Sequence, residues 1–170
     1  FGGIEGQKVK IFTDDNCSTN ITNSILTSKN HPITINLLLQ GFYHFYFEVQ
    51  DSNFNTSDCT DTKITYNFDF IAPVGPSLIS FSQTISNNPK PFVSLSGLTP
   101  GDIFTLYTNN SCSVTAAEIT ALSTTHNFIL DNPLTSEGVY SFYYSIRDQA
   151  GNQKLNLGSS CISSGVSYTL

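Results

Sequence analysis

The residues best suited to chemistry lie in one short turn. Asp51, Asn53 and Asn55, with the neighbouring Asp58, place hard oxygen donors at alternate positions, the pattern of a calcium loop. The same residue types also cap turns through their own backbone, and the later segment Asp148–Asn152 keeps only Asp148 and Asn152 of the set. Turn capping is therefore the stronger reading, and Asp51, Asn53 and Asn55 are carried as a weak calcium candidate beside it. No cofactor is otherwise expected. His31, His44 and His126 stand in unrelated contexts, none beside a Ser-centred nucleophile turn, and no Cys or His pair has zinc-ligand spacing. The thirteen acids fall mostly in turns, so no catalytic constellation is expected and the chain reads as a non-enzyme.

The elements that would position these residues are written twice. Gly6 to Cys17 returns as Gly101 to Cys112, eleven positions from Gly to Cys in both. Gly41-Phe-Tyr to Asp51 answers to Gly138-Val-Tyr to Asp148, and Cys59 precedes Tyr66 by seven residues as Cys161 precedes Tyr168. A period of 95 to 102 residues suits tandem globular domains rather than a solenoid. We read a domain over residues 1–70, a linker over 71–76 marked by two Pro and a Gly, and a second domain over 77–170.

Every strong local signal is a strand signal. In Gly41 to Val49, the residues Tyr43, Phe45, Phe47 and Val49 share one face, as Tyr140, Phe142, Tyr144 and Ile146 do in the second copy; this face is apolar twice and must be the core face. Val9 and Ile11, matched by Phe104 and Leu106, are buried by the same logic. About seven strands per full repeat indicate an all-β chain of antiparallel sandwiches. Aligning Gly2 with Gly97 leaves no partner for Leu78 through Leu95, so the first domain is expected to lack its N-terminal strands and to leave Val9, Phe45 and Phe47 without an opposite sheet. That gap calls for an added strand, from upstream sequence or from another subunit.

Four Cys, two per repeat, indicate disulfides and an oxidising, extracellular compartment. Cys17 with Cys59 and Cys112 with Cys161 is the preferred pairing, with Cys17 to Cys161 as its rival. The net charge of −6 on seven basic residues removes nucleic acid as a partner, and no apolar run reaches membrane-spanning length. The chain opens at Phe1 without an initiating Met and reads as a mature or excised fragment. Acceptor patterns for N-glycosylation at Asn16, Asn20, Asn55 and Asn109 carry little weight in so Asn- and Ser-rich a chain.

The Gly-led strand ending in Thr-Asp or Thr-Asn, the Leu-x-x-Gly-x-Tyr segment and Asp148-Gln-Ala-Gly-Asn152 together resemble bacterial immunoglobulin-like (Big-type) repeats of large surface proteins and adhesins. The first copy departs from the pattern at Asp51-Ser-Asn-Phe-Asn55, which lacks the Gly. The resemblance implies tandem immunoglobulin-like Greek-key sandwiches serving as a stalk or adhesive repeat on a bacterial surface. Its partners would be neighbouring repeats or other copies of the subunit, and a host or prey glycan or protein. Gly-x-Tyr itself resembles a tyrosine corner, making Tyr43 and Tyr140 structural. Phe12, Tyr46, Tyr107 and Tyr143 are expected on the outer sheet face. There they would form either a ligand surface or cross-strand pairs that hold the sheet, and the second reading is the stronger. A carbohydrate- or protein-binding module, or a fibre subunit that polymerises by strand donation, is the alternative.

Overall fold

The computed structural model describes residues 3–156 and 161–170. They form only strands and loops, divided into two units, Phe1–Asp69 and Phe70–Leu170.

In the first unit, strands β1 (Lys8–Phe12), β2 (Asn20–Ile25), β3 (Gly41–Gln50) and β4 (Thr60–Phe68) build one antiparallel sheet in the order β2-β1-β3-β4. Alternation along β1 and β3 turns Val9, Ile11 and Phe45 to one face, with Tyr43, Phe47 and Val49 packed around them. The β2 strand was not anticipated, because Asn-Ile-Thr-Asn-Ser-Ile has weak strand propensity and its place is set by pairing with β1.

The second unit adds β5 (Leu78–Phe81), β6 (Phe92–Ser96), β7 (Ile103–Tyr107), β8 (Thr115–Thr120), β9 (Thr125–Ile129), β10 (Val139–Arg147), β11 (Gln153–Lys154) and β12 (Ile162–Thr169). One sheet runs β11-β10-β7-β8 with β12 also on β10, and the other runs β5-β6-β9. Ile79, Val93 and Leu95 from the smaller sheet meet Phe104, Leu106, Phe142, Ile146 and Tyr168 from the larger in one buried core, a β-sandwich.

One expectation needs correction. Among the described residues the first unit has no second sheet, yet Val9 and Phe45 are not bare. The segment after β2 folds back over them, burying Leu26 and packing Ile33, Ile35 and Leu37 against the cluster. The stretch after β2 that matches β9 runs as a loop, since among the described residues the first unit has no strand to pair with it as β6 pairs with β9. The 71–76 segment lies within the bounds Phe70–Leu170. A Cβ at Gly75 would lie 2.5 Å from the Tyr144 hydroxyl, so only Gly lets this backbone approach the buried ring.

Candidate functional site

The residues singled out by sequence fall into three groups, and in each the two units can be laid side by side. The first is the acidic turn. Asp51 Oδ1 accepts the backbone N–H groups of Asn53 and Asn55, each at 2.9 Å, and Oδ2 accepts the Asn55 side-chain amide at 2.8 Å. Asp148 repeats this with Asn152, at 2.9 and 3.0 Å. Both carboxylates therefore fold their own turns. Hydrogen bonds from the Asn55 side chain and backbone, and from Asn53, hold the Asp51 pKa below its ordinary value. At Asp148 burial pushes the pKa up, but the bonds from Asn152, Ala150 and Gly151 prevail and lower it. No group of three or more His, Cys, Asp or Glu side chains gathers among the described residues in a way that could hold a metal.

The first copy's missing Gly does not change its turn. Phe54 sits at φ 66° where the second copy has Gly151 at φ 91°, and the backbone bonds from Asp51 and Asp148 match. An exposed aromatic residue thus bears a left-handed conformation that costs roughly 1 kcal/mol or more outside Gly. Phe54→Gly is expected to stabilise the first unit by about 1 kcal/mol, read as a higher urea midpoint at unchanged slope. A lower midpoint would contradict the turn geometry.

The same turn makes stability depend on pH. A carboxylate with a depressed folded-state pKa contributes stability that is present above its unfolded pKa and lost as pH falls through the folded value. Asp51 and Asp61 are both depressed, and Asp61 owes this to the Lys63 side chain and backbone, then to His44. The first unit is expected to melt progressively lower as pH falls below the ordinary value of 3.8, and Asp51→Asn should flatten that slope. A melting profile indifferent to acid would count against both networks.

The second group is the tyrosine pair. The Tyr43 hydroxyl donates to the Leu39 carbonyl at 2.6 Å, and Tyr140 donates to Ser136 at 2.9 Å while accepting the Ser136 N–H at 3.0 Å. Each ties the start of its strand to the chain four residues back. Both tyrosines are half-buried rather than enclosed. Tyr140→Phe is expected to cost the second unit about 1 kcal/mol. An unchanged thermal midpoint would remove the corner from the account.

The third group is the outward aromatics. Phe12 does not face solvent. It is only 4% exposed, lies opposite Tyr46 in the β1–β3 register, and is closed to any ligand. Tyr107 and Tyr143 face each other directly across β7 and β10, both half-buried, with the Tyr107 hydroxyl 3.3 Å from Ser145 Oγ. Tyr46 stacks on His44 at 5.0 Å between centroids. Phe12 with Tyr46 and Tyr107 with Tyr143 are cross-strand pairs, and the Tyr46–His44 stack runs along β3 itself.

The cysteines are paired inside each unit, Cys17 with Cys59 and Cys112 with Cys161, with Cα atoms 5.7 and 5.5 Å apart. A stagger of the strands on either side of β3 brings these cysteines together. β1 lies along the Tyr46–Gln50 half of β3 and ends opposite Tyr46, while β4 begins opposite Phe47 and runs along the other half. The end of one strand and the start of the next therefore meet at mid-sheet. β7 and β12 stagger identically on β10, at Tyr143 and Tyr144.

Sequence reasoning passed over two side-chain clusters. His44 Nε2 lies 2.7 Å from Asp61 Oδ1, whose other oxygen is 2.7 Å from Lys63 Nζ. The cluster pins a bulge in β4 where Lys63 holds φ 59°, the place of Gly165 in the second copy, whose matching residues are Ser141 and Ser163. Cross-strand register brings the three together, so no linear spacing announces them. His31 bridges Ser24 and Thr27 at 3.0 Å on each ring nitrogen. The group on Nδ1 is a hydroxyl rather than the carboxylate that orients a catalytic imidazole, and the ring fastens the loop to β2. In the second unit Asp102 is buried with one oxygen lacking a partner, and burial, then the charge of Asp148, pushes its pKa up.

No protein-family model matches the chain, and no curated protein matches it. Among solved structures it is similar to a biofilm associated protein, BSP domain, at 14% identity and a TM-score of 0.30. The similarity covers 94% of this chain and 25% of the other, so the chain spans about a quarter of that protein's length.

Proposed function

We propose that the chain is a non-enzymatic segment of a bacterial surface protein, two immunoglobulin-like repeats that act as a stalk or adhesive spacer outside the cell. The observation that carries this reading is what the two copies share. The Asp turn, the tyrosine tie, the strand stagger and the disulfide recur in both, and each of them positions backbone. Repeated scaffold is the expected signature of a protein whose work is to hold a distance, since each unit then contributes the same structural element. Two disulfides support an oxidising location. The internal pairing of Tyr107 with Tyr143 supports a sheet-stabilising role for the aromatics over a sugar-stacking one.

The test is to immobilise the oxidised chain and present it to glycan and matrix-protein arrays, beside a Tyr143→Ala variant. A spacer gives no saturable binding in either form. Saturable binding that the Tyr143 substitution abolishes would replace the spacer with a carbohydrate- or protein-binding module.

A further inference from the structure

The first unit has an apolar groove of about 690 Å³ lined by Leu37, Leu38, Phe45, Ile64, Tyr66 and Phe68, among others. The second unit shows what such a groove holds. Phe45 and Tyr66 correspond to Phe142 and Tyr168, and Ile64 to Val166, because Thr62 and Ser164 make the same 2.6 Å bond to the Phe45 and Phe142 carbonyls at the same bulge. Between Phe142 and Tyr168 sits Phe81, with ring centroids 4.9 and 5.6 Å away. Downstream of Phe81 the chain runs parallel to the edge of β12. Thr169 N donates to the Thr84 carbonyl at 2.8 Å, Ser86 N donates to Thr169 at 3.1 Å, and the Tyr168 hydroxyl donates to Asn88 at 2.6 Å.

In the first unit the parts of this seat that β10 and β12 supply are present, while among the described residues nothing matches β6, on which β5 pairs in the second unit. β4 is an edge strand, and Asn67 occupies the position of Thr169. Tyr66 is 52% exposed where Tyr168 is 1% exposed, and its hydroxyl meets no acceptor among the described residues. Ile64 is 59% exposed, whereas Val166 packs against the core. The charge balance also fits. The first unit carries four Lys against eight Asp and Glu, a net of −4, whereas Ser77–Lys90 contains no acid and one Lys.

We propose that this groove is a docking site for an extended, acid-free peptide strand that lies parallel to β4 and seats an aromatic side chain between Phe45 and Tyr66, as Ser77–Lys90 does in the second unit. Edge pairing supplies backbone hydrogen bonds and the apolar groove supplies selectivity, the division of labour in strand addition to a sheet edge. The site is a property of the first unit and stands whether or not the chain acts as a surface spacer.

The chain has no Trp, which gives a clean probe: a synthetic Ser77–Lys90 peptide carrying Phe81→Trp, titrated into the intact oxidised chain. Its emission is expected to shift to the blue saturably. The unlabelled peptide should displace it, and a Phe81→Ala peptide should compete roughly thirtyfold less well. Ile64→Glu in the chain places a charge in the groove at an exposed position and is expected to weaken binding by roughly tenfold or more while both units stay folded. Three results overturn the proposal: no shift at about millimolar peptide, equal affinity for the Ile64→Glu chain, or equal competition by the Phe81→Ala peptide. Sedimentation of the chain alone as a dimer that excludes the probe would assign the groove to a second copy, and would overturn it equally.

Discussion

Replacing Cys17 and Cys59 together by alanine is expected to leave the first unit unfolded at room temperature, while the Cys112 and Cys161 double variant keeps a folded but weakened second unit. Each bridge closes a loop, of 42 and 49 residues, and on the chain-entropy view each contributes about 4 kcal/mol. The contributions are alike but what remains is not. The second unit retains a core shared by two sheets, whereas the first has one sheet and the segment folded over it. Loss of about 4 kcal/mol is a large part of the 5 to 15 kcal/mol typical of whole domains, and a half-covered unit has less to lose. Hydrogen exchange on the two variants separates the outcomes. Protection surviving in β1 and β3 without Cys17 and Cys59 would show that the first unit's core is sufficient alone.

The second large effect compares equivalent phenylalanines. Phe142 is fully buried among Phe81, Tyr168 and the rest of the second core, so Phe142→Ala is expected to cost the second unit about 3 to 5 kcal/mol through lost contacts and a closed cavity. Phe45 holds the same strand position but lines the open groove, where water can occupy the vacated space. Phe45→Ala is expected to cost no more than about half as much. Denaturant titration of both variants reads the difference directly. Equal losses would mean that Phe45 is enclosed as fully as Phe142.

Much of this arrangement was legible in the sequence because it is carried by short-range pattern. Alternation identified the buried faces of β1, β3, β7 and β10, and the all-β class followed from those runs with Gly, Pro and Asn between them. What was hidden depends on register. The burial of Phe12 follows from its seat opposite Tyr46, and the meeting of His44, Asp61 and Lys63 follows from a bulge in β4. The turn at Asp51 was readable as a cap, but its identity with the Gly-containing turn was not, since Phe54 adopts a backbone conformation that its residue type disfavours. The cover over Val9 was missed because Ile33, Ile35 and Leu37 pack without joining any strand.

The central claim, two scaffold units each locked by its own bridge, is tested most directly by pulling single oxidised chains from their two ends. Two separate unfolding events are expected, each releasing only the chain outside its disulfide loop. With reductant the releases should lengthen by the 42 and 49 residues freed, roughly 150 and 170 Å at about 3.5 Å per residue. A bridge from Cys17 to Cys161 would instead lock nearly the whole chain and give almost no extension until reduced. That result, or a single unfolding event spanning both units, would contradict the account.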